Sequence, residues 1–212
     1  MTEGMGLRER KKIQTRRRLL AEATRLFGER GFDEVSVAEI AEAADVSKMT
    51  VFNYFDSKED LVLAPMEEHI GDVARVVRDR APGESAVTGM RRHFLAAIED
   101  RDPAVGMSDS PVALGLIQLI QQTPALLTRA YAFFARTDEM LIDALVEDGE
   151  DPAVARIVAA QLISTRNTLI TENQRRLLAG ESADAIAADA VALAERGFDL
   201  LEKGLGDFAT RA

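Results

Sequence analysis

A short run of side chains in the first third of the chain combines a cation, a hydroxyl group and an amide on one predicted helix. Val51 and Phe55 are spaced four residues apart, as on the inward face of a helix, and Phe52 should join them in a small core. The ammonium group of Lys48 suits the O6 or N7 acceptors of guanine, and the methyl group of Thr50 suits the methyl group of thymine. Each outward residue alone could equally be a solvated surface position, but the set predicts a helix that contacts DNA. The outward residues of this helix should be Lys48, Met49, Thr50, Asn53 and Tyr54.

The residues before this run predict the elements that would present it. Ser36 can cap a first short helix, and Glu39, three residues later, completes a capping box. Asp45 stands where the chain must turn, and aspartate tolerates left-handed backbone geometry better than most residues. Ser47 can then cap the second short helix. Two short helices joined by a tight turn form a helix-turn-helix, whose second helix typically enters the DNA major groove.

This region resembles, in residue order and spacing, the N-terminal DNA-binding domain of the tetracycline-repressor (TetR) family of bacterial transcriptional regulators. The resemblance covers roughly a quarter of the chain and departs from the family pattern at two positions. Asp45 stands where the family usually has glycine, and Pro65 should bend the predicted fourth helix, because an interior proline costs about 3 kcal/mol. The matching residues are Thr15-Arg16, Leu26-Phe27, Arg30-Gly31-Phe32, Ser36-Val37, Ile40-Ala41, Ala44, Val46-Ser47, Thr50-Val51-Phe52-x-Tyr54-Phe55 and Ser57-Lys58-Glu59-x-Leu61.

The resemblance implies roles for individual residues. It implies that Thr50, Tyr54 and Lys58 contact phosphates and that the first residues of the second short helix contact bases. Ser36 could also touch a phosphate, and the basic start of the first helix, which includes Arg16, could reach the DNA backbone. The resemblance further implies a homodimer built through the last two long helices and a response to a small molecule.

The distribution of charge favours a DNA partner although the net charge of the chain is −10. Residues 1–30 hold nine basic and four acidic side chains, a local net charge of +5, which leaves −15 on the remainder. A basic end on an acidic body is the electrostatic pattern expected for phosphate binding. A solvated basic arm is the alternative for the charge run alone. Beside a helix-turn-helix, we favour the DNA interpretation.

The composition excludes several kinds of site. There is no cysteine, so thiol nucleophiles, disulfides and thiolate metal sites are excluded. Only His69 and His93 could contribute imidazoles, and we expect neither a metal nor a cofactor. No apolar run approaches the roughly 20 residues that span a bilayer, and the basic N-terminus lacks the apolar core of a signal peptide. We therefore expect a cytoplasmic protein without a membrane partner.

Helix start and stop signals predict an all-α protein of about nine helices. One helix should precede the helix-turn-helix, the fourth should run from about residue 58 to 80, and five more should follow. We predict a helix-turn-helix DNA-binding domain of three helices over residues 8–60. A larger helical domain over residues 61–205 would bind a ligand and form the dimer.

The predicted ninth helix has an apolar face that is wider than one packing partner requires. Its small residues would allow the same helix of a second subunit to approach closely. The sequence therefore predicts a homodimer, with a wholly intramolecular bundle as the alternative. The face comprises Ala187, Val191, Ala194, Phe198, Leu201 and Leu205, beside Ile186, Ala190, Leu193, Gly197, Leu200 and Gly204.

A polar stripe on the predicted eighth helix suggests a ligand cavity. Gln161, Thr165, Thr168 and Glu172 share one helix face, which Val154 and Val158 extend toward the N-terminus, so we expect this face to point inward. Buried polar groups need partners, which could be protein groups, the dimer mate or a ligand. A mostly apolar effector, with a polar or anionic end held by an arginine, would suit the lining. The predicted ligand-binding residues are His93, Phe94, Ile117, Arg129, Phe134, Gln161, Thr165 and Thr168.

These observations predict a dimeric, ligand-responsive transcriptional regulator, most often a repressor in this family. It would bind a palindromic operator in double-stranded DNA and be released by a small-molecule effector. One alternative is a DNA-binding regulator or architectural protein without an effector. A helical enzyme is less favoured, because the chain has no cysteine, phosphate-binding loop or metal-spaced cluster.

Overall fold

The computed structural model describes residues 6–204, without the side chain of Leu7, and this part of the chain is helical with no strand. The predicted all-α fold class is confirmed. Leu205, predicted on the last helix, lies outside the described residues. The helices are α1 (Leu7–Arg30), α2 (Val37–Ala43), α3 (Lys48–Phe52), α4 (Lys58–Glu67), α5 (Asp72–Arg78), α6 (Ala86–Glu99), a 3₁₀ turn (Pro103–Val105), α7 (Pro111–Gln122), α8 (Pro124–Glu147), α9 (Pro152–Leu178) and α10 (Ala183–Lys203).

The predicted fourth helix is divided into α4 and α5. Pro65 lies inside α4, which ends two residues later. Proline has no amide hydrogen to donate to the carbonyl one turn earlier, so it weakens the helix at this point. The chain resumes a helix at Asp72, whose carboxylate lies 2.8 Å from the His69 ring nitrogen Nδ1. Because of this break, the predicted eighth and ninth helices are α9 and α10.

The turn between α2 and α3 is closed by backbone hydrogen bonds. Asp45 has a φ of +50°, as the sequence predicted for this position. Its amide donates to the carbonyl of Glu42 at 3.0 Å, and the amide of Val46 donates to the carbonyl of Ala41 at 2.9 Å. These bonds satisfy the last carbonyls of α2. Aspartate thus occupies a left-handed position that glycine most often takes.

The described residues form two compact units. The first comprises the chain up to Glu67 together with Gly115–Tyr131, and the second comprises Glu68–Leu114 together with the chain from Ala132. The first unit therefore contains α1 to α4, most of α7 and the start of α8. The domain boundary after residue 60 stays a prediction.

In the first unit, α1 packs on α2 and α4, and α2 packs on α3. Phe27 and Phe32 are buried, with ring centroids 5.3 Å apart. The start of α8 is tied to α4 by Arg129, whose Nε donates to the carboxylate of Asp60 at 2.7 Å. This packing fixes α3 on a small apolar core.

In the second unit, α10 packs on both α6 and α9. Phe198 of α10 meets Phe94 of α6 edge-on, with ring centroids 6.0 Å apart. Ala194 is also fully buried, and a Cβ atom on Gly197 would lie only 3.3 Å from Thr165 of α9. The wide apolar face of this helix is therefore explained by two partners in the same chain. It does not by itself require a second subunit.

Gly106, directly after the 3₁₀ turn, should tolerate no side chain. Its φ is +72°, and a Cβ atom there would lie 2.8 Å from the carbonyl oxygen of Ile170. We expect Gly106→Ala to lower the free energy of unfolding by more than the roughly 1–2 kcal/mol of left-handed strain alone, because the backbone of α9 cannot easily yield. Urea denaturation should compare it with Gly115→Ala, which meets no atom within 4 Å. Equal stability of Gly106→Ala and the parent would contradict this account.

Candidate nucleic-acid interface

The exposed surface of α3 carries most of the predicted base-contacting residues. Met49 is 70% exposed, and Lys48 and Asn53 are also exposed. Thr50 and Tyr54 are half-buried at the edge of this surface. The helix can therefore offer a cation, an amide and an apolar side chain to a groove.

Phe52 belongs to this surface and not to the core, contrary to the prediction. It is 41% exposed, and the ammonium nitrogen of Lys48 lies 5.9 Å from its ring centroid. The spacing could have shown this, because Phe52 follows Lys48 by four residues and buried Val51 by one, about 100° around the helix. An aromatic ring beside a cation adds an apolar contact of the kind that suits a thymine methyl group.

The start of α3 is held by the predicted Ser47 cap. The Ser47 hydroxyl accepts a hydrogen bond from the amide of Thr50 at 3.0 Å. The two hydroxyl oxygens are 2.8 Å apart. The Thr50 side chain is thus oriented by the cap, and a phosphate contact by Thr50 would share its hydroxyl with Ser47.

The start of α2 is held by the predicted capping box. The amide of Ser36 donates to the Glu39 carboxylate at 2.8 Å, and the amide of Glu39 donates to the Ser36 hydroxyl at 3.3 Å. Arg30, at the end of α1, donates to the same carboxylate at 2.7 Å. The amide and hydroxyl of Ser36, followed by Arg30, lower the pKa of Glu39 from 4.5 to about 2.

This lowered pKa predicts acid sensitivity of the helix-turn-helix. A carboxyl group with a lowered folded-state pKa stabilises the fold above its ordinary pKa and loses that effect as pH falls. The contribution of Glu39 should therefore disappear between pH 4.5 and about 2. Glu39→Gln should be less stable than the parent at pH 6, with a difference that shrinks across this window in denaturation experiments. Glu34→Gln is the control, and a pH-independent difference for Glu39→Gln would count against the capping box.

Lys58 is engaged inside the first unit. Its ammonium group donates to the carbonyls of Phe32 at 2.6 Å and Val35 at 3.0 Å, and it lies 4.1 Å from the Phe32 ring centroid. Lys58 thus holds the connection between α1 and α2. The implied phosphate contact would use its third proton.

Arg16 is half-buried beside the end of the helix-turn-helix. Its guanidinium carbon lies 5.4 Å from the ring centroid of Phe55. Phe55 follows α3 by three residues, so the α1 side chain is placed close to the candidate DNA surface.

The predicted ligand-binding residues of the second unit do not form one wall. Phe94 is buried against Phe198, whereas Gln161 and Thr168 are exposed on α9. The Thr168 hydroxyl donates to the carbonyl of Ser164 at 2.8 Å, and Thr165 lies half-buried against α10. The expectation that this polar stripe points inward is wrong for Gln161 and Thr168. The inward face of α9 is instead formed by Ala155, Ala159, Leu162, Ile163 and Leu169.

The remaining predicted ligand residues lie on α6, α7 and α8. His93 is exposed on α6, and partial enclosure by protein lowers its pKa, with Asp72 opposing that shift. Ile117 is half-buried on α7, and Phe134 is 37% exposed on α8. Arg129 already pairs with Asp60, so an anionic ligand would have to compete with that carboxylate.

A surface groove of about 930 Å³ lies between α6 and α10 in the second unit. Leu95, Ile98 and Val191 contribute apolar lining, and none of the predicted ligand residues takes part. Its arginines are paired, Arg91 with Asp199 at 2.9 Å and Arg101 with Asp184 at 2.8 Å. The groove therefore offers no unpaired guanidinium from these two residues.

The described residues contain neither a membrane-spanning helix nor a cluster of metal-binding side chains. Between residues 6 and 204, no helix has the length and apolarity needed to cross a bilayer. The same part of the chain contains no group of three acidic or histidine side chains that could hold a metal ion.

Comparison with known sequences identifies the same segment. Residues 19–64 match the family described as bacterial regulatory proteins, tetR family. The HTH-type transcriptional regulator TcmR of Streptomyces glaucescens is 31% identical over 159 residues, which are 74% of this chain and 65% of TcmR. The transcriptional activator FasR of Mycolicibacterium smegmatis is 33% identical over 86 residues, 41% of this chain and 38% of FasR. The chain thus spans less than two thirds of the length of these relatives.

Solved structures share the fold. NalD, the secondary repressor of the MexAB-OprM multidrug efflux pump in Pseudomonas aeruginosa, superposes with a TM-score of 0.58 at 20% identity, covering 88% of this chain and 96% of NalD. GusR of Salmonella enterica superposes with a TM-score of 0.56 at 22% identity, covering 90% of this chain and 94% of GusR. Residues 19–64 thus form a helix-turn-helix segment of the TetR family of transcriptional regulators, and the described chain shares the fold of these solved structures.

Proposed function

We propose that the protein is a dimeric transcriptional regulator that binds a palindromic operator through α2 and α3 and is released by a small-molecule effector. The observation that carries this proposal is the exposed surface of α3. A capped helix presents Lys48, Met49, Phe52 and Asn53 to solvent inside the segment that matches the family. Such side chains on a second helix are suited to the major groove.

The outer face of α9 supports a two-fold dimer. Its exposed residues alternate at spacings of three and four, the spacing of a helix–helix seam. Ile157 is 59% exposed and Val154 is 45% exposed, an unusual position for large apolar side chains without a partner. We assign Gln161 and Thr168 to this seam instead of a ligand cavity. The row comprises Val154, Ile157, Gln161, Ser164, Thr168 and Thr171.

The composition and burial of α7 support an apolar effector. Seven of its residues are apolar, yet none of its residues is fully buried. Half-buried leucine and isoleucine side chains on one helix suit a ligand that is mostly apolar. An anionic end on that ligand stays a prediction, because Arg129 is already paired with Asp60.

Release would follow from thermodynamic linkage. An effector that binds better to the conformation with low DNA affinity weakens operator binding by the same factor by which operator weakens effector binding. The spacing of two α3 helices in a dimer is the quantity that such an effector would change.

Selection from a genomic fragment library tests the DNA part of the proposal. Enrichment of a palindromic sequence by the purified protein is expected, and no enrichment over competitor DNA would refute the regulator proposal. Mass spectrometry of compounds retained by the protein tests the effector separately.

A regulator without an effector is the second candidate. It is favoured because Phe94 is buried and the polar stripe of α9 is exposed, so that neither lines a ligand cavity as predicted. It predicts operator binding that no retained compound alters.

A further inference from the structure

Asp138 lies where α8 enters the core of the second unit. Beyond it, Leu141, Ala144 and Leu145 are buried in that core. Before it, none of the residues from 132 to 136 is buried. Asp138 precedes Leu141 by three residues and Leu145 by seven, so these three side chains share one face of the helix. The carboxyl group is therefore held at the edge of an apolar core.

The carboxyl group of Asp138 has one oxygen atom for which the described residues supply no partner. This Oδ1 atom is buried, and no donor between residues 6 and 204 forms a hydrogen bond with it. Burial raises the pKa of Asp138, and no cation among the same residues opposes that shift. Enclosing a carboxylate without a donor or a counter-charge costs free energy. The group can therefore either hold a proton or pair with a cation from outside the chain.

Two enclosed cations of the second unit are, in contrast, compensated by carboxylates. Burial lowers the pKa of Arg166 on α9, but Asp72 opposes that shift. The Nε atom of Arg91 is also buried without a hydrogen-bond partner in the described part of the chain, yet the same guanidinium pairs with Asp199 at 2.9 Å. Of these three enclosed charges, only that of Asp138 is uncompensated. A ligand that satisfies it must bring a positive charge or a hydrogen-bond donor, and not an anion.

Phe134 provides an aromatic ring one turn before Asp138. The two residues are four positions apart, which makes them neighbours on one face of α8. Phe134 is 37% exposed, so this face can be reached on the side that leads away from the core. An ammonium group is attracted both by a carboxylate and by the face of an aromatic ring. The pair is therefore suited to a cationic nitrogen.

We propose that Asp138 and Phe134 form a subsite for an ammonium group at the polar end of an apolar effector. This inference rests on the proposed function and names the class of its effector. It replaces the anionic end expected from the sequence, because Arg129 is paired with Asp60. The apolar part of such a ligand would extend from Asp138 toward Phe134, since the opposite direction along α8 leads into the packed core.

Three probes with the same alkyl chain and different head groups test the subsite. Isothermal titration calorimetry with the full chain should use decylammonium, decanol and decanoate below their micellar concentrations, and the parent should bind decylammonium tightest. Asp138→Asn keeps the size of the side chain. It should weaken decylammonium binding by about 10–100-fold, as expected for a hydrogen bond to a charged group, while decanol binding stays unchanged. Phe134→Leu should weaken decylammonium binding more than decanol binding, since it removes the ring and keeps an apolar side chain.

The matched control is Asp143→Asn, which removes an exposed carboxylate of the same helix and should keep all three affinities of the parent. Equal losses of decylammonium binding in this control and in Asp138→Asn would overturn the subsite, because the effect would then be one of overall charge. A parent that prefers decanoate or binds none of the probes would also overturn it. The same holds for an Asp138→Asn variant that loses all three probes alike, since that loss would be structural.

These outcomes are independent of DNA binding. No operator enrichment, together with a decylammonium preference that depends on Asp138, would refute the regulator proposal and support the subsite. Enrichment of an operator, together with no preference for decylammonium, would support the regulator proposal and overturn the subsite.

Discussion

Replacing Ile157 by arginine is expected to convert a dimer into a monomer. Ile157 is 59% exposed on the outer face of α9, so the substitution should leave the fold of the single chain intact. In a two-fold contact it would bring two cations together and bury them without partners, which is strongly destabilising. Sedimentation velocity at micromolar concentration should show the parent as a dimer and the variant as a monomer.

The affinity for a palindromic operator should fall when the dimer is lost. In a dimer, the second helix-turn-helix binds intramolecularly, which can raise affinity by about 10²–10⁴-fold. The variant should lose that advantage on a palindrome and keep its affinity for a single half-site. Val191→Arg is the control, because Val191 is exposed in the groove facing α6. Arginine at Ala194 would not test the dimer, because Ala194 is fully buried in its own chain and the substitution would disturb the fold of the single subunit. An Ile157→Arg dimer as tight as the parent would rule out the α9 seam.

The second large effect concerns specificity at Lys48. Lys48→Ala should reduce the preference for a selected operator over random DNA by about 1–3 kcal/mol if the ammonium group contacts a guanine. Affinity for random DNA should change little. Fluorescence anisotropy with both duplexes at one salt concentration measures the ratio.

A cation near the start of α1 provides the contrasting control. Lys12→Ala should weaken operator and random DNA alike and reduce the salt slope by about one unit, as expected for a phosphate contact. If Lys48→Ala produced that same profile, Lys48 would contact the backbone and base recognition would have to come from its neighbours on α3.

Local features of this chain could be predicted from sequence because their causes are local. The Ser36 cap, the Asp45 turn and the Ser47 cap each depend on bonds between residues at most five positions apart. The side chain and backbone geometry of a few residues decide such bonds. The helix-turn-helix could therefore be assigned correctly before any tertiary contact was known.

The direction in which α9 faces could not be predicted in this way. At the start of α9 the buried face holds small residues, Ala155 and Ala159, while the exposed face holds Val154 and Ile157; the larger buried residues begin only at Leu162. Hydrophobicity alone therefore gives little contrast between the two faces, and the polar stripe was placed inward. The inward face is decided by which helices pack on it, here α10 and the 3₁₀ turn. Close approach to α10 favours small side chains, as Thr165 against Gly197 illustrates.

The discontinuous first unit has a consequence for synthesis of the chain. The unit is not complete when Glu67 has been made, because Gly115–Tyr131 also belongs to it. Leu126 and Ala130, both buried, would be missing until Tyr131 follows 64 residues later. At about 5–20 residues per second, that interval lasts roughly 3–13 seconds. During it, a nascent chain would carry α1 to α4 with part of their apolar surface still open to chaperones.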